Sequence, residues 1–253
     1  MHQAFRRHII DPETADTRNA SPGFRLGVVM LATRFPRLPG DIGNPESFPF
    51  PVVYRRVSSA RVTAVIRDAG PPAAVADAIV TAAQELDAEG VGLIATSCGF
   101  LGGLQTRLQV ACRAPVLASS LVLLPWLRSL YGGTAPIGVL TFDSRELSPR
   151  HLGAGSDGPL VVEGLETGTE LFPVISEDRP DLDAQRAEVD AVAAANRLVA
   201  RAPGLAAILL ECTNLSPYRH RLIQATGLPV FDINTAISMA ADAHGAISVS
   251  LRG

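Results

Sequence analysis

Two of the three cysteines in this 253-residue chain occupy matching surroundings. Cys98 stands in "IATSCGFLGG" (94–103) and Cys212 in "LLECTNLSPY" (209–218), each after an aliphatic run and one polar residue, and before a turn. A thiol in such a place can take up or deliver a proton. Two thiols on opposite faces of a carbon acid can do both, one as thiolate base and the other as thiol donor. A turn that opens a helix points backbone N–H groups outward. Those groups favour a thiolate and can hold a carboxylate whose charge spreads as its α-proton leaves. Such chemistry requires no cofactor and no metal. The plainer alternative for either cysteine is a small buried apolar residue. Cys112, in the helix after the first turn, is read that way.

Composition narrows the chemistry further. All 22 basic residues are arginine, so there is no lysine for a pyridoxal phosphate Schiff base or a Walker A loop. The sequence also lacks HExxH and GxSxG motifs. A net charge of −3 with scattered arginines gives no basic stripe, so neither nucleic acid nor an anionic membrane is an implied partner. The expected partner is a small molecule. The first 23 residues are polar and broken, without an apolar stretch of signal-peptide length, and no later run is long enough to suggest a membrane span. The chain is read as cytoplasmic, and three cysteines without CxxC spacing as free thiols rather than disulfides or a zinc site.

The elements that must position the thiols are legible as short aliphatic runs: 24–31, 91–97, 114–120, 136–142, 205–211 and 228–233. Bounded by Gly or Pro, they predict buried parallel strands. Helical patterns lie between them, most clearly over 71–90, with prolines at the start and glycine at the end, and over 182–204. Strands alternating with helices predict α/β layers around parallel sheet. An internal repeat sharpens this: 212 − 98 = 114 for the cysteines, and 229 − 115 = 114 for Pro115 and Pro229. At that shift Ile94 falls on Ile208, Leu101 on Leu215, Arg107 on Arg221, Leu108 on Leu222 and Val116 on Val230. Ligands of open α/β sheets sit beyond the carboxyl ends of strands, where both cysteines fall. A pseudo-twofold pairing of the two units would aim both thiols at one cleft.

The paired "TSCG" and "ECTN" turns resemble the aspartate/glutamate racemase superfamily of cofactor-independent enzymes, over nearly the whole chain after about residue 24. The segments 39–57, 97–101 and 209–232 resemble more specifically a subgroup that includes algal dimethylsulfoniopropionate lyases and bacterial racemase-like proteins. The resemblance implies two similar α/β lobes with parallel sheets flanked by helices, related by a pseudo-twofold axis around an active-site cleft. The expected lobes are 1–119, completed by 233–253, and 120–232. It also implies a homodimer. Amino-acid racemases of this superfamily resemble one another in an Asp-Ser pair after the first strand, Asn-Thr after the first cysteine, and Thr followed by His or Glu after the second. Here the first strand ends "MLATRF", Gly99 and Phe100 follow Cys98, and only Thr213 keeps its match. Asn214 can donate a hydrogen bond but cannot trade protons. Glu211 is the candidate auxiliary acid/base, although strand alternation would turn it away unless the strand ends first.

The segment 32–51 carries five prolines and two glycines, cannot be regular structure, and is expected to lie over the cleft. Arg34 and Arg37 are candidates to pair with a substrate carboxylate, while Asp41 and Asn44 can hold the loop or touch a polar group. Ser97, Gly99, Phe100, Thr213 and Asn214 complete the candidate binding set. The leading functional reading is a cofactor-independent racemase or epimerase of a small carboxylate, an amino acid first among them. A lyase or decarboxylase using the same thiols is the alternative within enzymes, and a catalytically silent binding protein the alternative outside them. For Cys98, beside Ser97 and Gly99, the base role is expected. For Cys212, beside Glu211, it is the donor role, because a neighbouring carboxylate opposes thiol ionisation.

Overall fold

The computed structural model describes residues 23–153 and 157–246. The polar N-terminal stretch and residues 247–253 of the expected C-terminal return lie outside the described residues. The chain forms two four-stranded parallel sheets. The first contains β1 (Leu26–Leu31), β2 (Val52–Val57), β3 (Leu93–Thr96) and β4 (Val116–Leu117), in the order β2-β1-β3-β4. The second contains β5 (Ile137–Thr141), β6 (Leu160–Gly164), β7 (Ala207–Leu210) and β8 (Val230–Phe231), in the equivalent order β6-β5-β7-β8. Every pairing is parallel. The repeat of 114 reappears as sheet register, with Ile94 beside Val116 in one sheet and Ile208 beside Val230 in the other.

All six strands expected from the sequence form, and β3, β5 and β7 are buried throughout, as central parallel strands covered on both faces must be. Two of the four edge strands, β2 and β6, are not among the runs expected from the sequence. Each pairs on one side only, and they carry Arg55, Arg56 and Glu163 among their apolar residues.

The helices are α1 (Val62–Val65), α2 (Ala73–Ala88), α3 (Gln105–Ala111), α4 (Leu124–Tyr131), α5 (Pro149–Leu152), α6 (Leu171–Ser176), α7 (Ala184–Arg201), α8 (Arg219–Thr226) and α9 (Ile233–Ala243). Proline precedes α2, and Gly90 follows it at φ +73°, a left-handed position that closes a helix without a Cβ penalty. Asp183 caps α7 by accepting from the N–H groups of Gln185 and Arg186. The small buried residues Ala187, Ala191, Ala194 and Ala195 let α7 pack closely on its sheet. The last helix, α9, does not pack on the sheet it follows alone. Ile233, Ile237 and Ala241 join Phe24, Leu26, Val28 and Leu93 in a cluster on the first sheet.

Candidate active site

Both cysteines occupy the same local structure. Cys98 and Cys212 precede six-residue 3-10 helices, Gly99–Leu104 and Thr213–Tyr218, which run on into α3 and α8. The two turns are tied across the lobes, since the Thr213 hydroxyl donates to the Ser97 carbonyl at 2.9 Å and the Ser120 hydroxyl to the Leu210 carbonyl at 2.6 Å. The result is one narrow cleft, lined by both cysteines together with Ser97, Gly99, Phe100, Glu211, Thr213, Asn214 and Arg37. Its remaining walls are apolar, and Leu31, Phe35, Val62, Phe142 and Ile175 are among them.

Both thiols are buried, and burial is the first cause that pushes each away from ionisation. Cys98 is pushed up to about 12, with the Glu211 carboxylate as the second cause; backbone N–H donation from Phe100 and the charge of Arg37 act in the opposite direction. Cys212 is pushed well above the usual thiol range by burial and then by Glu211, against the N–H of Asn214. The helix-start N–H groups therefore act in the expected direction but are outweighed. Burial and the Glu211 carboxylate thus oppose ionisation of both thiols.

Glu211 enters the site because β7 ends at Leu210, so strand alternation no longer dictates where its side chain points. One carboxylate oxygen, Oε2, accepts the Thr141 hydroxyl at 2.7 Å and, weakly, the Phe142 N–H at 3.4 Å. The other, Oε1, has no hydrogen-bond partner among the described residues. Burial raises this carboxyl from 4.5 to about 7 despite those bonds. Above 4.5 the unfolded chain releases a proton that the folded chain retains. Stability therefore falls as pH rises from about 4.5 to about 7 and is level beyond, by about 3 kcal/mol in all. Thermal melting of Glu211→Gln against wild type over this window is expected to show the slope in wild type and a flatter profile in the variant.

The four loop candidates separate. Arg37 lines the cleft, is partly buried, stacks 4.5 Å over Phe35, and donates to Thr33 Oγ1 at 3.0 Å and to Asp41. Its Nε has no partner among the described residues. Asp41 and Asn44 are buried but do not line this cleft. Asp41 accepts from Arg37, the Gly43 N–H and Asn214. Asn44 caps the short helix Pro45–Ser47 and donates to the Arg37 carbonyl, so it holds the loop. Arg34 is not among the residues that line the cleft. Its side chain is 66% exposed and pairs with Asp178, away from the cleft. Arg34→Ala is accordingly expected to change stability by less than about 1 kcal/mol and to leave steady-state turnover close to wild type.

Several wall residues carried no signal in the sequence. Phe35, Phe142 and Ile175 come from the first-strand loop, the end of β5 and α6, and only the fold brings them together. His151 was also missed. It is buried edge-on against Phe100 at 5.1 Å, takes part in the Ser148 capping box that opens α5, and is held below the usual histidine range chiefly by burial. Cys112 is buried at the end of α3 within the large core.

No protein-family model matches the chain. Among solved structures, a variant of arylmalonate decarboxylase superposes with a TM-score of 0.60 at 18% identity, covering 90% of this chain and 97% of that one. The allantoin racemase of Klebsiella pneumoniae gives 0.57 at 16% identity, covering 91% and 92%. The fold is thus the two-lobed α/β fold of aspartate/glutamate racemase-like proteins. In sequence the chain is 34% identical over 215 residues to the dimethylsulfoniopropionate lyase of Durusdinium sp. clade D, spanning 82% of this chain and 70% of that enzyme. It is 31% identical over 222 residues to dimethylsulfoniopropionate lyase 7 of Emiliania huxleyi, of which it spans 64%. The chain belongs to the dimethylsulfoniopropionate lyase family. Among the described residues no helix is long and apolar enough to cross a membrane.

Proposed function

We propose that the protein is a cofactor-independent lyase that removes the α-proton of a small carboxylate carrying a sulfonium group on its β-carbon, dimethylsulfoniopropionate being the model substrate. The observation that carries this reading is the convergence of both thiols and Glu211 on one aromatic-walled cleft, in a chain related to lyases of that substrate. Phe35, Phe100 and Phe142 line the cleft and give a methylated cation an aromatic wall. Arg37 offers the opposite charge to the carboxylate. The incoming sulfonium also favours thiolate formation, because a nearby cation lowers thiol pKa. That acts against the burial and the Glu211 carboxylate that push both thiols above their usual range.

In the reaction Cys98 first releases its proton to solvent, the resulting thiolate takes the α-proton, the freed electron pair forms the Cα–Cβ double bond, and the Cβ–S bond breaks with its pair on sulfur. The products are acrylate and neutral dimethyl sulfide, and Cys98 is again a thiol. The leaving group needs no proton, so the two thiols have unequal tasks.

A racemase remains the second reading. The observation that favours it is the equivalence of the two cysteine turns at a shift of 114, since a two-faced proton exchange uses two like groups. Proton NMR in D₂O over dimethylsulfoniopropionate, amino acids and dicarboxylic acids separates the readings. Acrylate and dimethyl sulfide support the lyase. Deuterium entering an α-position without new products supports a racemase. Binding with neither change marks a silent binding protein.

A further inference from the structure

We propose that Asp41 is a positioning residue of the reaction: acting through the Asn214 amide, it holds the Cys212 thiol as a hydrogen-bond donor and so fixes Cys212 as the protonated member of the pair. The assignment deepens the proton-transfer reading above and rests on it.

The chain of contacts begins in the loop after β1. The Asp41 carboxylate accepts Arg37 Nη1 at 3.2 and 3.3 Å and the Gly43 N–H at 2.7 Å. Its Oδ2 also accepts Asn214 Nδ2 at 2.8 Å. Burial pushes the Asp41 carboxyl above its usual range, against Arg37, the Gly43 N–H and Asn214, which favour the carboxylate; as the carboxylate it only accepts, and the amide turns its NH₂ toward Asp41. The other end of the amide, Oδ1, is then forced toward Cys212, whose Sγ lies 3.8 Å away. An acceptor there bonds the neutral thiol and disfavours the thiolate. Reversed, the same amide would offer N–H to sulfur and favour ionisation.

The loop is built to hold this orientation. Gly40, at φ +98°, lies against Pro217, where a Cβ would come within 2.9 Å of the Pro217 Cα. Asn234 Nδ2 donates to the Gly40 carbonyl at 2.6 Å, and Ser47 Oγ bonds both the Gly40 N–H and the Asp41 carbonyl. The first-strand loop is thereby clamped to the turn that carries Cys212. The charged and titratable groups that bear on Cys212 are Glu211 beside it, Cys98 from the other lobe, and Asp41 itself. Arg37 lines the same cleft. Glu211 opposes ionisation of both thiols. The Asn214 contact is made with Cys212 alone, so it separates the two.

The test is site-resolved alkylation of the unliganded protein by iodoacetamide over a pH series, read by mass spectrometry, and it needs no turnover. Asp41→Asn is isosteric but no longer acceptor-only, so the Asn214 amide is free to reverse. Cys212 is expected to alkylate about tenfold faster at fixed pH, the equivalent of one unit of thiol acidity, with Cys98 unchanged. Asn214→Ala removes the acceptor and is expected to do the same. In the double variant the Asp41→Asn effect should vanish, because its route is gone. The proposal is overturned if Asn214→Ala or Asp41→Asn leaves the Cys212 profile in place, or if Cys98 shifts equally. It also fails if Asp41→Asn acts as strongly without Asn214, which would make its charge the cause. Absence of lyase turnover would sink the functional reading while leaving these profiles to decide the positioning role.

Discussion

Cys98→Ser is expected to lower kcat/KM for dimethylsulfoniopropionate by about 10³-fold, within the range that loss of a proton-transfer group costs. Serine fills the site, but its hydroxyl is far less acidic than a thiol, so no base faces the α-proton. Cys212→Ser is expected to cost less than about 10²-fold, because dimethyl sulfide departs without a proton and Cys212 contributes mainly to the shape and neutrality of the opposite wall. The ratio of the two losses therefore reports the reaction type. Steady-state kinetics of both variants checks it. Equal and complete loss in both would favour two-faced exchange, the racemase chemistry, over one-way elimination.

Gly99→Ala is expected to be nearly as damaging without touching a reactive atom. A Cβ at this position would lie 2.3 Å from both the Glu211 carbonyl and its Oε1. Ordinary contact begins near 3.4 Å, so the two cysteine turns must part by about 1 Å, a displacement that costs on the order of 10²-fold in rate. Neither obstacle can step aside easily. One is backbone, and the other belongs to a carboxylate held through Oε2 by Thr141. Overpacking of this kind costs about 1–3 kcal/mol of stability. The expected result is a folded variant with a lowered melting temperature and about 1% of wild-type kcat/KM. Only glycine permits the turn after Cys98 to approach Glu211 so closely, which accounts for the unusual "SCG" in physical terms.

The parts of this molecule that were legible in its sequence are those that repeat or run. The cysteines stood out because the second turn restates the first at a fixed shift, and the central strands because strands covered on both faces must be continuously apolar. The edge strand Val52–Val57 was not legible, since a strand paired on one side tolerates Arg55 and Arg56. Glu211 could be named as a candidate but not placed. Its direction depends on whether β7 stops one residue before it, and strand ends are set by tertiary contacts. Arg34 and Arg37 looked alike in sequence. Their separation follows from the loop's path, which buries Arg37 over Phe35 and leaves Arg34 outside on Asp178. Of the aromatic walls Phe100 was legible beside Cys98, but Phe35 and Phe142 were beyond reach, because they are more than a hundred residues apart and no local pattern links them.

The central claim is that a thiol takes the proton from the α-carbon in the step that commits the substrate. Competitive turnover of dimethylsulfoniopropionate deuterated at the α-carbon or at the β-carbon, against unlabelled substrate, tests this most directly. The account predicts a primary isotope effect on kcat/KM from α-deuterium and none of that size from β-deuterium. Turnover that is indifferent to α-deuterium and persists undiminished in Cys98→Ser would contradict it.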